Sequence, residues 1–254
     1  MSGAAPVVSV VMPVYNAERF LAKAVDSVLS QSFSQWELLM IDDASTDGSL
    51  RVAAEYAGKD PRIRVIRNES NYGVSETRNR GIREAKGQWI ALLDSDDYWL
   101  PEKLDSQLAL ADESGAEIIY CSYSIVDEND APCCNDFIVP PETDFHEALV
   151  RSLISCSTAL IQRNLLLVYP FSSAYSHEDL ILWISLLKAG YQARGCREVL
   201  AAYRLSEQSR SGNKRKAAWG RWRIYRKYLK LPLIQSCALF AQYSFSALKK
   251  YVRI

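Results

Sequence analysis

The sequence is poor in the residues that ligate soft metals or staple a small fold. It holds two histidines, His146 and His177, and six cysteines at 121, 133, 134, 156, 196 and 237. None of the cysteines has CxxC spacing, and Cys133 and Cys134 are adjacent. Neither a zinc site nor a disulfide framework is indicated. No apolar run reaches the roughly 18 to 20 residues that a membrane-spanning helix needs. The N-terminus shows no secretory pattern, and with these cysteines that predicts a reducing cytoplasm. No GxGxxG follows a strand, which argues against a dinucleotide oxidoreductase. Internal repeats and low-complexity tracts are also missing.

What is present is a chain of 254 residues, 48% of them hydrophobic, enough for one large α/β domain or one domain with an appendage. Formal net charge is zero but unevenly spread. Residues 204–254 hold thirteen Lys/Arg against one acid, Glu207, a balance of +12. The first 203 residues balance that at −12. An acidic body with a basic arm predicts an anionic surface as partner for the arm.

Hydrophobic periodicity sets out the body. Strands are expected at 7–14, 36–41, 62–66 and 89–93, alternating with helices at 18–29 (apolar at Phe20, Leu21, Ala24, Val25, Val28 and Leu29), after the turn 44–48, and at 75–85. Asp47 is available as a helix cap in that turn. The order β-α-β-α-β-α-β predicts a mostly parallel sheet with right-handed crossovers. A helix from 101 to 113 and a strand at 117–123 follow. Residues 126–144, with prolines 132, 140 and 141, read as a loop over the site or a short hairpin. Residues 153–161 return to the sheet. A helix runs from 178 to 189 with Gly190 as its stop, and a last strand spans 198–203.

Two strands end in acid. Trp89 to Leu93 is an apolar run suited to a strand covered on both faces, and Asp94, Asp96 and Asp97 follow at once. Carboxylates this close repel each other unless a hard dication sits among them. Asp42 and Asp43 end the second strand in the same way. Open α/β sheets gather their ligand groups at the carboxyl ends of strands. A metal-diphosphate site is one reading, and a solvated acidic turn is the other.

Five segments together resemble the family 2 glycosyltransferases. They are Pro13-Val14-Tyr15-Asn16, Ile41-Asp42-Asp43-Ala44-Ser45-Thr46-Asp47, Asn71-Tyr72-Gly73 with Thr77-Arg78-Asn79-Arg80-Gly81, Leu93-Asp94-Ser95-Asp96-Asp97, and His177-Glu178-Asp179. The resemblance covers about residues 7–205. It implies a GT-A fold, with a glycosyltransferase domain over 1–205 and a basic helical tail over 206–254. It also implies inverting sugar transfer from a nucleotide-diphosphate donor with Mn2+ or Mg2+.

By that resemblance Tyr15 lies along the nucleotide base and Asp43 accepts from uracil N3–H. Asp96 ligates the metal, and Asp94 holds the ribose or sugar side and completes the metal pair. Pro13, Asn16, Glu18, Asn71, Gly73, Arg78 and Ser95 fill out the nucleotide-binding loops. Asp179 is the candidate general base, and Glu178 its neighbour. Such a base takes the acceptor proton as the anomeric bond breaks. The histidine that relatives often place after Tyr203-Arg204 is absent, and Arg204, Arg210 or Lys214 could replace it as a phosphate contact. No Gln-x-x-Arg-Trp occurs, so the chain resembles a single-addition enzyme rather than a processive synthase.

Each residue also has a plainer reading. Tyr15 could pad a loop. Asp42 and Asp43 could belong to a helix-capping turn, and Glu178 and Asp179 could serve only a helix N-terminus. Arg78 could meet a phosphate, or Glu76 or Glu84 on its own helix. A nucleotidyltransferase is disfavoured because Asn16-Ala17-Glu18-Arg19 stands where a Gly-rich phosphate loop would be needed. A non-catalytic nucleotide-sugar or glycan-binding protein is the third reading.

The tail interleaves Lys and Arg with Trp219, Trp222, Tyr225 and Tyr228 and continues into a mostly apolar 233–248. That pattern suits a helix lying on an anionic bilayer, ahead of nucleic acid, or helices packed on the catalytic domain. By resemblance to bacterial enzymes with such tails, the acceptor is a glycan on polyprenyl diphosphate, as in O-antigen or capsule synthesis. The expected location is peripheral, on the inner face of the cell membrane.

Overall fold

The computed structural model describes residues 5–175, 177–205 and 214–250, with the side chains of 214–217 and 247–250 excepted. The first half follows its periodicity closely. β1 (Val8–Val14) and β2 (Trp36–Asp42) are buried at every position, as continuous apolar strands are when both faces are covered. α1 (Glu18–Leu29) turns Leu21, Ala24, Val25 and Val28 inward between them. α2 (Ser49–Ala57), β3 (Ile63–Arg67), α3 (Val74–Glu84) and β4 (Trp89–Leu92) follow, and the strands lie parallel in the order β3-β2-β1-β4. Asp47 Oδ1 accepts from Ser49 N at 2.9 Å in the turn before α2, but the N-cap position is Gly48, so α2 has no side-chain cap. Gly81 lets α3 lie close on the sheet, since a Cβ there would stand 2.5 Å from Val11 Cγ1.

Beyond β4 the sheet becomes mixed. β9 (Leu160–Gln162) runs antiparallel to both β4 and β6 (Ile118–Val126). β10 (Ala193–Arg204) returns parallel to β6, and β5 (Tyr98–Trp99) and β8 (Glu142–Thr143) run antiparallel to β10. β7 (Pro132–Phe137) pairs antiparallel with β6, so the first part of 126–144 is the short hairpin of the two readings. The expected return at 153–161 supplies only the three residues of β9, preceded by a 3-10 turn over Cys156–Thr158. α4 (Lys103–Ser114), α5 (Phe145–Val150), α6 (Arg163–Val168) and α7 (Glu178–Lys188) cover this half. Gly190, at φ 95°, ends α7 as read from the sequence.

Alternate residues of the strands feed two cores. Val11, Leu39, Ile41, Ile90 and Leu92 face the side covered by α3 and α7. Val10, Met12, Leu38, Met40 and Ala91 face α1 and α4. The tail forms α8 (Lys214–Arg223), a π turn at Ile224–Tyr228 and α9 (Leu233–Lys250). Ile224, Tyr225 and Leu239 are buried in the first core, and Trp222 meets Phe240 edge-on at 5.7 Å. One face of the tail therefore packs on the body.

Candidate active site

The register sets Val14 opposite Asp42 and Val11 opposite Leu92, so the loops after β1, β2 and β4 open on one edge. Asn16 joins the first two. It adopts φ 48°, a left-handed conformation that asparagine tolerates better than most residues. Its Oδ1 accepts from Thr46 N at 2.8 Å, and its N–H donates to Ser45 Oγ at 3.1 Å. Glu18 accepts from Gly48 N at 2.9 Å and pairs with Arg51 at 3.0 Å. Asn16 and Glu18 thus spend these groups on loop architecture. Tyr15, in the loop after β1, and Tyr72 are both half exposed.

Asp43 is buried and shapes the third loop. Its Oδ1 accepts from Asn68 Nδ2 at 2.6 Å and from Tyr72 N at 2.9 Å, and its Oδ2 accepts from Gly73 N at 2.9 Å. Asn71 Oδ1 accepts from the same Gly73 N at 3.1 Å. Gly73 itself needs φ 83°, which glycine supplies without a Cβ penalty. A carboxylate has about four acceptor positions. Three are used here, and one on Oδ2 is left for a ligand donor.

The acids after β4 have three different fates. Asp97 is buried, accepting from Ser157 Oγ at 2.5 Å and from Arg204 N at 2.8 Å. Burial, and then the charges of Asp96 and Asp94, push its carboxyl well above the usual range. Asp94 is partly exposed and takes Arg78 Nη2 at 2.5 Å through Oδ1, while its N–H donates to Ser157 Oγ at 3.1 Å. Asp96 is also partly exposed, beside Ser95. Arg78 thus neutralises Asp94, while Asp97 still meets the charges of its two neighbours. Among the described residues no three His, Cys, Asp or Glu side chains gather in a set able to hold a metal alone.

Arg78 is the hub of the site. It is buried on α3, donating through Nη2 to Asp94 and through Nη1 to Glu178 Oε1 at 3.2 Å. Its guanidinium also lies 5.3 Å from the Phe171 ring. Burial opposes its charge, but Asp94 and Glu178 outweigh burial and hold it protonated. The same-helix partners offered by the sequence are taken elsewhere, Glu76 by Arg83 and Glu84 by Arg64. Glu178 is buried at the start of α7, and Asp179 follows it. Burial, and then the neighbouring Glu178, raise the Asp179 carboxyl.

Asp179 opens into a cleft between α7 and the segment 143–154. The cleft is lined by Thr143, Ala148, Arg151, Ser152, Leu153, Ile154, His177, Leu180 and Trp183 besides Asp179. Arg204, read as a possible phosphate contact, is committed instead to holding the acidic loop. It is buried and donates to Asp96 O at 2.8 Å, Asp127 O at 2.8 Å and Asp130 Oδ1 at 2.6 Å, with its guanidinium over Phe20 at 4.5 Å. Arg210 lies outside the described residues, as does the side chain of Lys214.

Tyr15, Asn16, Asp43, Asn71, Gly73, Asp94, Ser95 and Asp96 lie on the loops after the strands, Pro13 within β1, Glu18 at the start of α1 and Arg78 inside α3, and Arg78 links Asp94 to Glu178, next to Asp179. Sequence reasoning missed Ser157, which ties Asp94 to Asp97, and the cleft wall at 143–154. It also missed that Arg78 has partners 16 and 100 positions away. One signal was available. Arg78 lies four residues from both Val74 and Ile82, on the inward stripe of α3, and a charge on such a stripe calls for a buried counter-charge.

The sequence model of glycosyl transferase family 2 matches residues 9–153. The chain is 37% identical over 245 residues to TuaG of Bacillus subtilis (strain 168), whose name assigns it provisionally to teichuronic acid biosynthesis, covering 96% of this chain and 97% of that one. It is 35% identical to WfgD of Escherichia coli, named a UDP-Glc:α-D-GlcNAc-diphosphoundecaprenol β-1,3-glucosyltransferase, covering 89% of this chain and 88% of that one. Among solved structures, S. aureus TarS in complex with UDP-GlcNAc superposes with a TM-score of 0.74 at 20% identity, over 93% of this chain and 71% of that one. The mannosyltransferase PcManGT of Pyrobaculum calidifontis, in complex with GDP-Man and Mn2+, gives 0.71 at 18% identity, over 94% and 69%. The chain belongs to glycosyl transferase family 2, and its fold is that of these GT-A neighbours.

Proposed function

We propose that the protein is an inverting glycosyltransferase that moves a hexose from a UDP-sugar to a hydroxyl of a lipid-linked glycan. The observation behind this reading is the Asp94–Arg78–Glu178 chain of ion pairs. Through the buried Arg78 it ties Asp94, which we assign to the donor side, to Glu178 at the start of α7, next to Asp179. A displacement needs a group for the leaving diphosphate and a base for the incoming hydroxyl, and this network sets their spacing. The UDP donor and the diphosphoundecaprenol acceptor in the name of WfgD supply the substrate class.

The donor set fits a hard divalent cation that arrives with the nucleotide. Asp96 and the second oxygen of Asp94 would hold the ion, since carboxylate oxygens suit hard divalent cations. When bound, Mn2+ or Mg2+ supplies Lewis-acid stabilisation of the charge that builds on the departing diphosphate. Tyr15 lies along the base, and Asp43 Oδ2 takes the uracil N3–H with its remaining acceptor position. Asp179 accepts the proton of the acceptor hydroxyl while that oxygen attacks the anomeric carbon. The bond to the diphosphate breaks on the opposite face, and the centre inverts. The raised Asp179 carboxyl suits a base better than an ordinary carboxylate would.

A lipid-linked acceptor supports a peripheral enzyme working on the inner face of the cell membrane. No helix among the described residues is long and apolar enough to cross a bilayer. The outer face of α9 exposes Leu233, Ile234, Ala238, Ala241 and Phe245, with exposed Arg226, Lys227 and Lys230 just before it. Apolar side chains flanked by cations suit an interfacial helix on anionic lipid.

Calorimetric titration of UDP with and without Mn2+, beside GDP and CDP, tests the reading. Manganese-dependent binding that favours UDP supports it. Preference for GDP or CDP would remove the role given to Asp43, and no nucleotide binding at all would remove the transferase reading.

A further inference from the structure

Four residues from three segments close a ring around the Asp43 carboxylate. Asn68, directly after β3, is buried and donates through Nδ2 to Asp43 Oδ1 at 2.6 Å and to Thr77 Oγ1 at 3.3 Å. Thr77 Oγ1 in turn donates to Gly73 O at 2.9 Å, and Gly73 N donates to Asp43 Oδ2 at 2.9 Å. The N–H of Asn68 donates to Asp42 O at 2.8 Å and ties it to the end of β2. By shape alone the amide fits this ring either way round, since its oxygen and nitrogen differ little in size. Arg80 decides the matter. Its guanidinium only donates, and Nη1 lies 2.5 Å from Asn68 Oδ1 and 2.9 Å from Arg67 O. The oxygen of Asn68 therefore faces Arg80, and its nitrogen faces Asp43.

The three protein groups bonded to Asp43 all donate: Asn68 Nδ2, Tyr72 N and Gly73 N. Together they fix the plane of the carboxylate and commit both of its oxygens to accepting. Two of the three are backbone N–H groups, the same whatever side chain stands there. Asn68 is the one side chain of the set, so the chemistry that Asp43 offers a ligand turns on Asn68. The acceptor position left on Oδ2 is matched by a ligand donor and opposed by a ligand acceptor. Uracil carries an N–H at ring position 3, and cytosine a bare nitrogen. A site built to accept a hydrogen bond rejects the analogue that lacks the donor, because its own buried group is then left unpaired.

We propose that Asn68, oriented by Arg80, is the positioning residue for base selection: by holding Asp43 as an acceptor it makes the site take a pyrimidine with a ring N–H and reject one with a bare ring nitrogen. The proposal rests on the role given to Asp43 in the transferase reading and deepens it. Asn68 and Arg80 act through Asp43 and need no contact with the nucleotide. The selecting information thus lies one residue beyond β3 and on the second turn of α3, while the carboxylate that carries it ends β2.

The experiment is calorimetric titration of UDP and of CDP, each with Mn2+, into the full chain. The readout is the ratio of the two affinities, because a general loosening of the loop weakens both alike. Wild type favours UDP. Asn68→Asp keeps the shape of the side chain but sets a second carboxylate against Asp43, so the two share a proton. Arg80 keeps the introduced carboxylate charged, and the proton goes to Asp43. In that form Asp43 accepts less well from uracil and opposes cytosine less. The UDP-to-CDP ratio falls about tenfold, the size of one hydrogen bond to a charged group. Arg80→Met frees the amide to turn and lowers the ratio about threefold, and Arg80→Lys restores part of that loss. An unchanged ratio in a folded Asn68→Asp overturns the proposal, whatever the two affinities do separately. Where that variant does not fold, an unchanged ratio in Arg80→Met overturns it instead. A wild type without preference for UDP removes the role given to Asp43 and this proposal with it, and that failure is told apart because it is read before any substitution is made.

Discussion

Residues 8–92 lay down four parallel strands with a helix between each pair. Residues 93–204 return to the same sheet through antiparallel pairs, a hairpin and helices as short as six residues. The two regions also treat their polar groups differently. In the first, loop side chains are spent on one another, as Asn16 on the Ser45-Thr46 turn and Asp43 on Asn68, Tyr72 and Gly73. That edge is pre-formed for a ligand of constant shape, such as a nucleotide. In the second, polar side chains reach across long stretches of chain instead, as Ser157 to Asp94 and Asp97 and Arg204 to Asp97 and Asp130. The contrast teaches that the half holding the proposed donor loops is built on repetition, and the half after β4 on particulars.

The largest expected effect separates the halves outright. Asp179→Asn removes the proposed base from the acceptor side, and a general base contributes about 10²–10⁴-fold. Turnover should fall by that factor, with UDP affinity in Mn2+ unchanged. A near-wild-type rate would break the division of labour. Next comes the joint between the halves. Arg78→Met leaves Asp94 and Glu178 without their buried cation, a loss of about 3–5 kcal/mol in comparable buried pairs. Denaturant unfolding should show that loss, and a loss under about 1 kcal/mol would mean the network is not the joint described here. A smaller effect is confined to the tail. Ile234→Ser combined with Phe245→Ser should weaken binding to anionic vesicles about tenfold or more, given roughly 0.8 kcal/mol per buried CH₂, and should leave UDP binding alone. Equal vesicle binding by the double variant would remove α9 as the lipid contact.

Legibility in the sequence follows the same line. α1, β1, β2, α3 and β4 are long enough for period 3.6 or period 2 to show, and their acids fall at strand ends where ligands collect. α5 and α6, at six residues each, are too short for a period to emerge. The start of β10 is masked by Arg194, Cys196 and Arg197 and by bulges between Cys196 and Ala201. Asp94, Asp96 and Asp179 could be named because acids in those patterns resemble a family. Asp97 could not be told from its neighbours, because its burial depends on Ser157 and Arg204, 60 and 107 positions away. For the same reason Arg204 read as a phosphate contact, although its donors already hold the acidic loop from behind.

The smallest effect tests the coupling across the joint most finely. Asp179 must be ionised to take a proton, so turnover rises with pH through its titration. Burial and the neighbouring Glu178 raise that carboxyl, and the acid limb of the kcat profile should sit above the ordinary carboxylate range. Glu178→Gln removes the neighbouring negative charge. It also frees Arg78 from one of its two acids, and both changes favour the ionised form of Asp179. The limb should then move to lower pH, toward an ordinary carboxylate, with the plateau rate affected less than by Asp179→Asn. An unmoved limb would mean that a group other than Asp179 titrates in turnover. A limb shifted upward would mean that Arg78, once released, turns fully to Asp94 and leaves Asp179 less screened, so that the joint ties the two halves by competition for one cation.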